Sequence, residues 1–249
     1  MSKERNFVIN KGVLIKYLGS GGDVVIPDGV ITVRYCAFKD CTNLKSVTIP
    51  DSVTHIDWSA FSGCTNLTSV TIPNSVISVR WTVFKGCTSL TSITIPDSVT
   101  GIGEGAFRDC IGLTSVTIPD SVAAIGSGAF WGCKGLADNR GFVIVRDVLY
   151  GYYGSESDVS ISHGITAIDG FAFRECTGLT SVIIPDSVTS IRGSAFSGCT
   201  ILTSVTIPGS ITAIADEAFL GCSQLTIHAP AGSYAEAYAK ENNIPFVVE

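Results

Sequence analysis

Charge is scarce in this sequence, at 15% of 249 residues, where ordinary globular chains carry about 25%. Little charge beside a 45% apolar composition excludes the disordered class that many like charges and few apolar residues produce. Long hydrophobic runs are missing as well. The apolar stretches Phe142 to Val145 and Phe246 to Val248 fall far below the roughly 20 residues of a membrane-spanning helix, so no membrane insertion is expected. There is no contiguous basic run and the net charge is −6, which argues against nucleic acid as a partner. The start, Met-Ser-Lys-Glu-Arg-Asn, has no hydrophobic core of the kind an export signal needs. Histidine is limited to His55, His163 and His228, each isolated and none at metal-ligand spacing. Without a phosphate loop, a zinc ladder or a nucleophile elbow, the sequence offers no convergent catalytic set. It reads as a non-enzymatic chain with no metal and no cofactor.

What the sequence has is a beat. Pro27, Pro50, Pro73, Pro96 and Pro119 stand 23 residues apart, as do Pro185 and Pro208. Cysteines keep the same interval in two runs, Cys41, Cys64, Cys87, Cys110 and Cys133, then Cys176, Cys199 and Cys222, and only Cys36 is out of step. A repeat of this length means a solenoid whose units bury a shared core by stacking. Cysteines recurring once per coil read as a buried column of small hydrophobes about 4.8 Å apart, not as disulfide or metal partners. If any thiol is available for a disulfide it is Cys36.

From Leu44 the unit reads Leu-Lys-Ser-Val-Thr-Ile-Pro-Asp-Ser-Val-Thr-His-Ile-Asp-Trp-Ser-Ala-Phe-Ser-Gly-Cys-Thr-Asn. Val47 and Ile49 alternate with Ser46 and Thr48, the period of a half-buried strand, and proline then ends the ladder because it has no N–H to donate. Val53 and Ile56 anchor a second extended stretch, and Ala60, Phe61 and Cys64 suit one short helical turn. Between Leu136 and Ser162 the beat fails because Phe142 to Ser155 repeats Phe7 to Ser20 at an offset of 135 residues. Each copy reads as a β-hairpin about a tight turn, Lys11-Gly12 or Arg146-Asp147. The chain is thus expected to be one solenoid over 1–249: a hairpin at 7–22, five coils at 23–141, an inserted hairpin at 142–157 that joins the stack, three coils at 158–224 and a cap at 225–249. In the cap, Ser233 and Glu236 make a capping box ahead of an apolar stripe at Ala235, Tyr238 and Ala239.

The recurring Leu-x-x-Val-x-Ile-Pro-x-x-Val-x-x-Ile-x-x-x-Ala-Phe-x-x-Cys strongly resembles the BspA-type leucine-rich repeats of bacterial cell-surface proteins, and the hairpin segments and the Ala-Pro-Ala-Gly-Ser-Tyr-Ala ending are similar to that family too. The resemblance covers nearly the whole chain from Phe7. It implies a mainly β leucine-rich repeat solenoid, a right-handed superhelix with short helical turns and a C-terminal capping helix. It also implies adhesion or protein binding at the cell surface or after secretion, with a cytoplasmic location as the alternative that the N-terminus favours. One departure is visible: a Gly usual in the family after the Ile of the second stretch is kept only at Gly103 and Gly126.

Comparing the coils with one another locates the candidate site. Variation concentrates in the triplet before each Ala-Phe, from Arg34-Tyr35-Cys36, Asp57-Trp58-Ser59 and Arg80-Trp81-Thr82 to Gly103-Glu104-Gly105 and Gly126-Ser127-Gly128. Positions that vary are read as free of the demands of stacking. Tyr35, Trp58 and Trp81 should form an aromatic column on consecutive coils, flanked by Arg34, Asp57, Arg80 and His55, with Lys39 and Lys85 at the rim and Trp131 as an extension. Tyr, Trp and Arg dominate interface hot spots. The expected partner is a protein, of a host or a matrix, bound by a monomer; the alternatives are a glycan stacked on the rings, or a scaffold with no specific ligand. Rows of hydroxyls, Ser46 and Thr48 through Ser115 and Thr117, line the outer strand face and are accounted for by the ordinary preference of Thr for strands.

Overall fold

The computed structural model describes residues 6–249; the segment Met1 to Arg5, which carries most of the export-signal reading above, lies outside them. Two compact units are formed, one ending at Leu136 and one running from Ala137 to Glu249. Both are β-solenoids whose coils follow the 23-residue beat.

In the first unit each coil contributes one longer and one shorter strand. Leu44–Thr48 pairs in parallel with Ser69–Thr71, setting Ser46 against Ser69, Val47 against Val70 and Thr48 against Thr71. His55–Ile56 pairs likewise with Thr32–Val33. Equivalent positions of successive coils are therefore neighbours, and the apolar positions turn inward together: Leu44, Val47, Ile49, Val53, Ile56, Ala60, Phe61 and Cys64 are all buried. Phe38, Phe61, Phe84, Phe107 and Phe130 stack along the core with centroids 4.9 to 5.6 Å apart. Burying each such ring is worth about 1.5–3 kcal/mol.

The third side of the coil is not one helical turn. It is a series of single turns, Ala37 N–H to Arg34 O, Lys39 to Cys36, Cys41 to Phe38 and Leu44 to Cys41, while the alternate N–H groups of Phe38 and Asp40 reach Ala60 O and Ser62 O of the next coil. Left-handed residues at Cys36 (φ 56°) and Asp40 (φ 58°) interrupt any helix and aim those N–H groups outward. Side chains extend this laddering: Ser52 donates to Val30 O at 2.8 Å and Thr68 to Lys45 O at 3.0 Å, one coil back. These bonds are why Ser and Thr recur at those positions.

The hairpin Phe7–Asn10 and Val13–Tyr17 turns at Lys11 (φ 47°) and Gly12 (φ 76°), the left-handed pair that a tight hairpin turn requires. Val13–Tyr17 then pairs in parallel with Thr32–Val33, so the hairpin joins the short-strand sheet. Its copy in the second unit, Phe142–Val145 with Val148–Tyr152, has the same irregularity between its second and third pairs and joins Ala167–Ile168.

The second unit ends as expected and with one addition. Ser233 accepts from Glu236 N–H at 3.2 Å and caps the helix Tyr234–Glu241, while the Glu236 carboxylate takes the N–H of Gly232. Tyr238 meets Phe219 at 6.1 Å and so closes that unit's ring stack. After the helix the chain forms a further strand, Phe246–Val248, parallel to Thr226–Ala229, which the sequence reading left inside the cap as an apolar run only.

Candidate functional site

The triplets lie where each short strand passes into the turns. Tyr35 and Trp58 stack face to face, with centroids 4.9 Å apart and planes 7° from parallel, and the Arg34 guanidinium lies over the Tyr35 ring at 4.8 Å. Trp81 does not continue this stack, which corrects the three-ring column expected above. The short-strand sheet itself stops at this step: His55–Ile56 ends one sheet and Ser78–Val79 begins another. The two coils stay joined by the Ser59 N–H to Trp81 O bond, by the shared hydrogen bond of the Ser59 and Thr82 hydroxyls, and by an ion pair of Arg80 and Asp57 at 3.3 Å.

Trp81 instead lies against Gly103. A Cβ at Gly103 would stand 2.7 Å from both Cδ1 and N of Trp81, so the missing side chain is what admits the indole. Beyond it, Gly101 and Ala124 continue a small-residue floor, and an open groove of about 500 Å³ runs beside Trp81 with Trp58 and Arg80 on its walls. The rings are well exposed, Trp58 at 49% and Trp81 at 65%.

The remaining expected residues are dispersed. His55 is exposed with Nδ1 2.8 Å from the Thr54 hydroxyl. Lys39 is exposed and Lys85 half-buried on the turn side. Trp131 is half-buried beneath the Arg108 guanidinium at 4.4 Å and does not line the groove. What the sequence reading missed is the floor. The slot Thr32, His55, Ser78, Gly101, Ala124 holds small residues in its last three coils, and that was visible in the repeat.

The triplets also prove less free of the stack than their variation suggests. Asp57 pairs with Arg80, and in the second unit the fully buried Asp169 pairs with Arg192 at 2.6 Å. The third triplet position is left-handed at Cys36, Ser59, Thr82, Gly105 and Gly128, which gives Cys36 its place: it fills a turn position that Ser, Thr or Gly fills elsewhere. All nine cysteines are free thiols.

Parallel coils, a hairpin start and an exposed aromatic groove define a solenoid of the repeat-scaffold class. The sequence matches the family model described as BspA type leucine rich repeat region, in six copies over residues 17–137 and 144–234, and the chain belongs to that family. Solved structures agree in fold. A leucine-rich repeat protein of T. pallidum is 26% identical, with a TM-score of 0.50 over 94% of this chain and 89% of that one. A leucine rich cell surface protein of Faecalibacterium prausnitzii A2-165 is 25% identical, with a TM-score of 0.51 over 98% and 92%. A leucine-rich repeat protein of Eubacterium ventriosum, 22% identical, has a TM-score of 0.63 over 88% and 66%. The comparison with curated proteins gives no match. Among the described residues no helix is long and apolar enough to cross a membrane.

Proposed function

We propose that this chain is a non-enzymatic binding module that holds a protein partner at the bacterial cell surface. The observation that carries the reading is the exposure of Tyr35, Trp58 and Trp81 on successive coils of the first unit, in a slot where Glu104 and Ser127 show that stacking needs no ring. Large exposed rings beside Arg34 and Arg80 have the composition of an interaction hot spot. The description of the F. prausnitzii relative as a cell surface protein supports the location.

The test replaces Tyr35, Trp58 and Trp81 together by Ala and measures retention of proteins from cell-surface and matrix extracts. A triple variant that melts like the parent but retains no partner supports the reading; retention equal to the parent's ends it.

A further inference from the structure

We infer that the groove beside Trp81 is a subsite for a neutral sugar ring. The inference rests on the reading of this face as a binding surface and adds the chemistry of what enters it. Four observations converge. The groove is open and shallow, with a volume of about 500 Å³, within the range of small-ligand sites. Among its lining residues Gly101, Gly103 and Ala124 bring no side chain or a single methyl. One wall is the Trp81 indole, 65% exposed, a platform whose electron-rich face attracts the polarised C–H groups of a pyranose. The lining also carries polar groups, the hydroxyls of Ser78 and Thr100 and the guanidinium of Arg80, the last paired with Asp57 at 3.3 Å.

That mixture selects among occupants. An aliphatic side chain laid in the groove would strip water from Arg80 and its neighbours and return no hydrogen bond, a net cost. A cation over the indole would meet the Arg80 guanidinium on the same wall. A ring with one apolar face and a periphery of hydroxyls satisfies both, since each hydroxyl donates and accepts: it can donate to the hydroxyl oxygen of Ser78 or Thr100 and accept from Arg80. The Tyr35 and Trp58 rings, already closed against each other at 4.9 Å, leave no gap between them for a sugar, so the stacking face is that of Trp81, with Trp58 also lining the groove.

The full chain is titrated with cellotriose, maltotriose, chitotriose and a β-galactotriose by calorimetry, with saturation-transfer NMR to identify the sugar protons nearest the protein. The expected result is saturable binding of at least one trisaccharide, with contact at the axial C–H groups. Trp81→Ala should weaken it at least tenfold, and Ala124→Gln, which fills an exposed part of the floor, should weaken it similarly. Tyr234→Ala, at an exposed ring of the C-terminal helix, should leave it within twofold. Absence of saturable binding across the four sugars overturns the inference, and so does binding that both Trp81→Ala and Ala124→Gln leave unchanged, or a Leu-Pro octapeptide that binds where the sugars do not. Partner retention is read from Tyr35, Trp58 and Trp81 together. A failed sugar titration beside intact retention therefore removes the subsite and leaves the binding-face reading standing.

Discussion

The Sγ–H of Cys64 donates to the backbone carbonyl of Phe38, 3.1 Å away and 26 residues earlier in the chain. The same bond recurs from Cys87 to Phe61, Cys110 to Phe84 and Cys133 to Phe107, and in the second unit from Cys199 to Phe173. The cysteine column is therefore more than a set of small hydrophobes. Each thiol gives a second donor to a carbonyl that already accepts the backbone N–H three residues on, as Phe38 O does from Cys41 and Phe84 O from Cys87.

Cys110→Ala should accordingly cost about 1–2 kcal/mol, from the lost packing of a fully buried side chain and the loss of a second, weak hydrogen bond to Phe84 O, which keeps the N–H of Cys87. Cys36→Ala, at a half-exposed turn position, should stay within about 0.5 kcal/mol of the parent. Urea unfolding of the two variants side by side checks this, and equal midpoints would contradict the role given to the column.

The same burial sets a pH dependence. Exclusion from water pushes the Cys64 and Cys110 thiols up to about 12, from an ordinary value of about 8.5. In the folded chain these groups hold their protons where the unfolded chain has lost them. The stability they contribute is therefore complete below about pH 8.5 and is lost progressively as pH rises toward 12. Melting temperature should be level from pH 6 to 8 and fall between pH 9 and 11. A curve that stays level to pH 11 would show that the thiols do not remain buried.

Two ion pairs built on the same coil position should differ sharply. Asp169 is fully buried against Arg192, whereas Asp57 and Arg80 have side chains 25% and 46% exposed. Removing the partner of a buried charge costs several kcal/mol, and exposed pairs are worth about 0–1. Because the Arg192 side chain is itself 39% exposed, Arg192→Leu should cost about 2–3 kcal/mol, and Arg80→Leu under about 1 kcal/mol. Urea midpoints for the two variants decide the order.

The coils were legible in the sequence because stacking copies the same demand 23 residues later, so Leu44, Val47, Phe61 and Cys64 could be placed without any coordinate. The hairpins followed from alternation about Lys11-Gly12, and the cap from Ser233 and Glu236. Less was legible where a contact depends on the coil next door and not on the unit. That Trp81 leaves the stack follows from Gly103, 22 residues on, and from the break between two sheets, and neither is a property of the triplet. Variation among triplets mixed two causes: a free surface at Tyr35 and Trp58, and pairing across coils at Asp57 and Arg80. The turns were misread as helical because Ala-Phe-x-x-Cys has a helix-like spacing, while the left-handed residues that break it are as often Asp40 or Ser59 as Gly.

Gly101 and Gly103 stand two residues apart on one coil and should answer oppositely to the same change. A Cβ at Gly103 would lie 2.7 Å from the carbonyl carbon of Arg80 and from the backbone nitrogen of Trp81, and backbone cannot yield as a flexible side chain does. Gly103→Ala should cost about 1–3 kcal/mol as an overpacked site and displace the indole, shifting the Trp fluorescence maximum. At Gly101 a Cβ meets only Ala124 O, at 3.8 Å, an ordinary contact, and its φ needs no glycine. Gly101→Ala should therefore be neutral or stabilise by about 0.4–1 kcal/mol through the unfolded chain, with Trp fluorescence unchanged. Thermal melts and emission spectra of the two variants give the answer together. If Gly103→Ala is as benign as Gly101→Ala, the indole is not held against the next coil, and the wall of the groove is not the fixed platform that sugar recognition at Trp81 requires.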